Sequence, residues 1–404
     1  MVYEQPKSSI SKYLASLQPV SGRDEKPKQK DHIFLSYGSP SPDLFPIEEF
    51  KQASVEILNN RGEDALQYAG GEGPTLVKNW IKEQGKRRHI HIQEEEILIT
   101  AGAAQGIDFT TRLLVNPGDE VWVEEPTYFF ALQSFQLAGA NIQMIPMDNQ
   151  GIKVDYLKEK LEYHVKFNKP IPKLLYCMPN YHNPTGKTLA PNRRKELAKL
   201  AQLYDFLIVE DDAYAELGFE QRYLPSIYSY APERVLYLGT FSKIIAPGVR
   251  IGWVAASEEF INKMKLLMLG PQTSPIVQEI LGRLLVNYSF EEQVNRLITC
   301  YQEKRDIMIS AIYANFGDSV YFEIPKGGFF IWLQFQQEIE VDKLFRIAFD
   351  KGVSVVQGSS FYKNQIKNSS VRLCYSFCNK EQIEQGIKLL AESYFSLIEK
   401  QEIP

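Results

Sequence analysis

The stretch Leu238–Trp253, LGTFSKIIAPGVRIGW, places one lysine, Lys243, directly after an apolar run and, seven positions later, an arginine, Arg250, beyond a Pro-Gly turn. The run before it, RVLYLGT, has the aliphatic and aromatic make-up of a buried strand, and RIGWVAA after it reads the same way. A lysine at such a strand end is stripped of water, which lowers its pKa and makes it an amine nucleophile or base. A solvated loop lysine is the plainer reading of Lys243 taken alone. Its company along the chain decides between the two.

EILIT, EVWVEEP, KLLYCMPN and FLIVEDD repeat this texture upstream, separated by segments of helical periodicity. One of those, RRKELAKLAQLYD, sets Leu197, Leu200, Ala201 and Tyr204 on one face. The alternation predicts an α/β fold whose large domain is built on a mostly parallel sheet covered by helices on both faces. Beyond about residue 295 come a long helical stretch, then YFEIPKGGFFIWLQF, VRLCYSF and a final helix opened by Asn379 and Gln382 in capping-box spacing. This second texture predicts a smaller α+β domain. The expected division is 1–50 as an N-terminal arm and loop packing with the small domain, 51–295 as the large domain and 296–404 as the small one.

With 404 residues, 44% hydrophobic and 24% charged, the chain has ordinary globular make-up, which excludes wholesale disorder. A net charge of -5 with Lys and Arg spread along the sequence argues against a nucleic-acid surface or an anionic membrane footprint. Cys177, Cys300, Cys374 and Cys378 lack metal-type spacing, so no metal is expected and the thiols read as reduced. The start lacks the apolar core of a signal peptide, and no apolar run approaches the roughly 20 residues that span a bilayer. The expected location is the cytoplasm.

In open α/β sheets ligands gather at the carboxyl ends of strands, so the residues just after each run are the candidates. After ILIT, Gly102 permits a tight turn and the amides of Ala103 and Ala104 open a helix, an anion site in outline or a plain turn. After EVWVEEP stands Tyr128; after KLLYCMPN comes YHNPTG, with Asn183 before Pro184; after FLIVE stand Asp211 and Asp212, then Tyr214. Two adjacent carboxylates at the end of a buried strand call for a facing cation or a helix N-terminus to cap. Both readings stay open. An anion cradle, an aromatic ring, an amide, an acid, a phenol, an amine and a guanidinium thus fall at successive strand ends.

These segments together resemble the fold-type I pyridoxal 5'-phosphate enzymes, specifically the class I/II aminotransferases of the α-aminoadipate, kynurenine and aromatic group. The resemblance rests on NPTG, on EDDAY with Asp211 and Tyr214 three apart, and on TFSK with Arg250 seven residues after Lys243; it runs from GSPSPDLFP to VRLCYSF. It implies a seven-stranded large sheet. By motif, Lys243 would form the internal aldimine with the cofactor aldehyde and then shuttle the proton between the substrate α-carbon and the cofactor. Asp211 would pair with the pyridine nitrogen, Tyr214 and Asn183 with the ring's phenolic oxygen, and Tyr128 would stack on the ring. Arg250, Ser242, Thr240 and the amides of Gly102, Ala103 and Ala104 would hold the phosphate.

Tyr68 would reach that phosphate from a neighbouring subunit, which implies a homodimer with shared sites. Arg372 would bind the substrate carboxylate, beside Asn183 and Gly38. Relatives often carry a hydroxylated residue and an amide where this chain has Ala103 and Ala104, so main-chain donors would do more of the work here. The implied activity moves an amino group from an L-amino acid with an aromatic, aminoadipate-like or other bulky side chain to a 2-oxo acid such as 2-oxoglutarate, in ping-pong half-reactions. The alternatives are a lyase or decarboxylase on the same cofactor, or a non-catalytic sensor domain like those of certain transcription regulators; only about 30 residues precede the match, less than the ~50 of a small domain.

Overall fold

The computed structural model describes residues 31–68, 73–220, 223–268, 273–363 and 369–401. Its centre is an eight-stranded sheet in the spatial order Ile97–Thr100, Gly252–Ala255, Val235–Thr240, Leu207–Asp211, Leu174–Cys177, Glu120–Glu125, Asn141–Asp148, Gly151–Ile152. Leu174–Cys177 and Val235–Thr240 are buried at every position, which is why they read as unbroken apolar runs instead of alternating ones. Six strands run parallel; Gly252–Ala255 is antiparallel to both its neighbours and Gly151–Ile152 to Asn141–Asp148.

Seven of these strands are the expected sheet. The eighth is a two-residue edge formed where the chain turns back at Asp148–Gly151: the Asp148 carboxylate accepts from the Gln150 amide at 2.8 Å, and Gly151 takes φ 92°. Turn chemistry adds it, and no hydrophobic run announces it.

A second sheet carries Val320–Tyr321, Phe330–Phe335, Ser370–Cys374 and Val356–Gln357, all antiparallel. The helices Phe290–Phe316 and Lys380–Gln401 pack against each other beside it. The capping box of the last helix is formed in both directions: the Asn379 amide donates to Gln382 Oε1 at 3.0 Å, and the Gln382 amide donates to Asn379 Oδ1 at 2.8 Å. Near the N-terminus, Ile33–Phe34 pairs in parallel with Val353–Ser354, and the ring of His32 bonds Ser354 at 2.7 Å. One continuous apolar core joins the two sheets, from Trp122 and Phe135 through Phe241 to Tyr375 and Tyr394. The loops leaving Thr100, Glu125, Cys177, Asp211 and Thr240 all emerge from the same edge of the large sheet.

Candidate active site

Those loops and the second sheet enclose a cavity of about 680 Å³ lined by Gly38, Ala104, Tyr128, Asn183, Tyr214, Lys243, Arg250 and Arg372. Lys243 sits in the tight return between Val235–Thr240 and the antiparallel Gly252–Ala255, so its position is fixed by two paired strands. Its amine donates to the Gly38 carbonyl at 2.9 Å and lies 5.7 Å from the Tyr214 ring centre and 5.8 Å from that of Phe329. Burial pulls its pKa down to about 8, opposed by Asp211 and reinforced by Arg372 and Arg250. A sizeable fraction of a neutral, nucleophilic amine is therefore present at mildly alkaline pH.

Asp211 ends the neighbouring strand and is buried. Its Oδ2 accepts from the Tyr176 hydroxyl at 2.6 Å, whereas Oδ1, equally buried, has no hydrogen-bond partner among the described residues. Burial raises this carboxyl to about 6, with Asp212 adding to the rise and the Tyr176 bond and Lys243 opposing it. Asp212 answers the question the pair posed: no helix follows to be capped, and it faces a cation, lying 3.9 Å from Arg88 Nε while accepting from Asn180 at 2.6 Å and Tyr237 at 2.9 Å. Arg88 also pairs with Glu216 at 2.5 Å. The cavity bordered by this cluster holds only about 30 Å³, room for a water and not for an organic ligand.

At the helix start Ala103–Leu114, Gly102 takes φ 83° as N-cap. A Cβ there would meet the Arg250 guanidinium at 3.0 Å, and one on Gly252 would meet Gly102 C at 2.6 Å and Ala103 N at 2.8 Å. Glycine at both positions lets three backbone segments close on one point. Arg250 itself is a non-glycine residue at φ 50°, and its guanidinium donates to the Ala101 carbonyl at 2.8 Å. The Thr240 and Ser242 hydroxyls lie 3.0 Å apart at the same turn.

On the opposite wall Arg372 is buried on Ser370–Cys374, between the rings of Phe330 at 4.3 Å and Phe361 at 5.3 Å. It donates to Asn183 Oδ1 at 2.9 Å and to the Ser36 carbonyl at 2.7 Å. The loop behind Gly38 is tied from the second sheet's side: Ser376 donates to the Ser39 carbonyl at 2.7 Å and the buried Lys304 to Ser41 Oγ at 2.8 Å. Tyr128 caps the helix Phe129–Leu137 at the cavity wall.

This arrangement gathers an amine, an orphaned buried carboxylate oxygen, an amide-rich helix start beside a guanidinium, and a fixed second guanidinium. The family described as aminotransferase class I and II matches residues 30–390. The chain belongs to the class I and II aminotransferases. It is 36% identical over 90% of its length to aromatic-amino-acid aminotransferase 1 of Thermococcus litoralis, 88% of which is covered. The crystal structure of the multiple substrate aminotransferase from Thermococcus profundus superposes with a TM-score of 0.90 at 34% identity, over 97% of this chain and 98% of that one. That of LysN, the α-aminoadipate aminotransferase of Thermus thermophilus, complexed with N-(5'-phosphopyridoxyl)-L-leucine, superposes with a TM-score of 0.85 at 31% identity, over 92% and 94%.

The aminotransferase uses pyridoxal 5'-phosphate, and its donor set fits that group. Asp211 Oδ1 is an unpaired acceptor suited to a ring N–H, and the Gly102–Ala104 helix start with Arg250 suits a phosphate. Tyr68 stands apart at 97% exposure and does not line the cavity of its own chain. Sequence reading overlooks Tyr176, Lys304 and the two rings flanking Arg372. A hydroxyl-bearing aromatic inside the otherwise apolar strand LLYC is the one available hint. Among the described residues there is no group of His, Cys, Asp and Glu able to hold a metal ion, and no helix long and apolar enough to cross a membrane.

Proposed function

We propose that this aminotransferase takes the amino group from L-amino acids with bulky, largely apolar side chains and passes it to a 2-oxo acid such as 2-oxoglutarate, working as a cytoplasmic homodimer. The observation that carries the reading is the buried Arg372, aimed by Asn183 and the Ser36 carbonyl into the cavity that Lys243 also lines. A bidentate guanidinium suits a substrate α-carboxylate. Tyr37, Tyr128, Phe129, Phe130 and Val356 give the wall a large aromatic and apolar share, and Lys243, Arg250 and Arg372 are the cations on it. Each of those three already has a role, which leaves none for a second substrate carboxylate among the described residues of one chain. The four free cysteines support a reducing compartment.

When bound, the cofactor supplies an electron sink for the pair left by a departing α-proton. The chain supplies the rest. Lys243 would hold the cofactor through its amine, and that amine would remove and return the α-proton. Asp211 would hold the ring nitrogen protonated; Asn183 and Tyr214 would donate to the ring's phenolic oxygen, and Tyr128 would pack against the ring. Thr240, Ser242, Arg250 and the amides of Gly102, Ala103 and Ala104 would hold the phosphate, joined by Tyr68 of a second copy, whose exposure here suits an outward reach. The described residues of 51–295 would carry the cofactor groups, while those of 1–50 and 296–404 would bring Gly38 and Arg372 over them.

The test is to mix the cofactor-loaded protein with a panel of L-amino acids and follow the loss of the visible band as pyridoxamine phosphate accumulates. Aromatic and other bulky apolar donors should discharge the band fastest, and donors with a second carboxylate, such as aminoadipate, more slowly. Release of ammonia or carbon dioxide without accumulation of pyridoxamine phosphate would replace transamination by elimination or decarboxylation.

A further inference from the structure

Tyr176 lies at the third position of the fully buried strand Leu174–Cys177. The parallel register sets it beside Val209, so its side chain shares a face with Val209 and, two residues on, Asp211. The reach is used: the phenol donates to Asp211 Oδ2 at 2.6 Å. Phe135 packs edge-on to the Tyr176 ring at 5.9 Å, and no part of the residue is exposed. With Oδ2 engaged, the carboxylate cannot rotate freely, and Oδ1 is the oxygen left to meet an incoming N–H.

We propose that Tyr176 is a positioning residue that fixes the rotation of Asp211 and keeps it ionised at neutral pH, and so sets the strength with which the cofactor ring is held. This rests on the assignment of Asp211 to the ring nitrogen. The groups facing Asp211 define the problem Tyr176 solves. Asp212 disfavours its charge, Lys243 and the Ala213 amide favour it, and burial outweighs the rest. Among the described residues, Tyr176 is the one neutral side chain that donates to it, and a phenol next to Asp211, with Glu124 and Tyr128 behind, is held in its protonated donor form by burial and those neighbours. A hydrogen bond to the charged form of a carboxyl lowers its pKa, so removing it must raise Asp211 further.

The test uses the full-length chain with and without pyridoxal 5'-phosphate. In Tyr176→Phe the carboxyl titration of Asp211, followed by 13C NMR on the cofactor-free protein, should move up by about one pH unit, and the cofactor dissociation constant at pH 7 should rise about tenfold. A merely structural role would leave that titration where it is. An unmoved Asp211 titration in a folded Tyr176→Phe protein overturns the proposal. If that variant does not fold, 3-fluorotyrosine at position 176, a more acidic donor, should move the titration downward, and no movement again overturns it. Asp211→Asn separates the two levels: unchanged cofactor affinity in that variant removes Asp211 from the ring nitrogen, whereas weakened affinity beside an unmoved Tyr176→Phe titration removes Tyr176 alone.

Discussion

Lys243 is held by two strands, donates to a main-chain carbonyl and has its pKa pulled down to about 8 from 10.5. In the unfolded chain it keeps its proton up to the ordinary value, so between the two pH values the unfolded state binds more protons and stability rises with pH. Well below pH 8 the part-buried charge is carried in full. Lys243→Met should therefore abolish turnover and the visible band of the attached cofactor, yet raise the unfolding free energy of the cofactor-free protein at pH 7 by about 2–3 kcal/mol, a gain that fades as pH rises from about 8 to 10.5. Urea melts at several pH values check this; equal stability of the two proteins at pH 7 would mean the amine is not desolvated. Asp211→Ala should keep cofactor weakly and lose about a thousandfold in rate, at ~1.4 kcal/mol per tenfold, in stopped-flow half-reactions.

At the scale of elements, the turn at Gly102 and the strand at Gly252 press together so closely that any side chain on Gly252 strikes backbone. Gly252→Ala should raise the cofactor dissociation constant at least about thirtyfold, equivalent to ~2 kcal/mol of strain, measured by fluorescence titration of the cofactor-free chain. The final helix offers a contrasting case far from the chemistry: Asn379→Ala removes one half of its capping box and should cost about 1 kcal/mol in chemical denaturation with kcat unchanged. Strand ends such as Gly102, Asn183, Asp211 and Lys243 are legible in the sequence because a run of apolar residues marks where each strand stops. The Tyr176–Asp211 bond and the Lys304–Ser41 tie are not, since they depend on which strands lie side by side and on a helix meeting a loop 263 positions away. The two-residue edge strand escapes for a third reason: it has too few residues to carry a pattern.

At the scale of the molecule, the second sheet and the N-terminal loop close the cavity that the first sheet opens. Arg372 and Ser36 come from segments 336 positions apart yet share a hydrogen bond at 2.7 Å. If the sites are shared between two copies, sedimentation equilibrium should return twice the chain mass, and Tyr68→Phe should weaken cofactor binding severalfold without changing that mass; a monomer that turns over normally would rule the sharing out. Arg372 has a closely constrained orientation. It is sandwiched by Phe330 and Phe361, tethered to Asn183 and Ser36 and buried throughout, so it has no room to swing. A carboxylate docked there meets an unmoving grip whatever side chain follows it. Both members of an exchange, donor and acceptor, would thus be pinned by the same headgroup, and any choosiness between them would arise where the chamber is lined by Tyr37, Phe129 and Phe130.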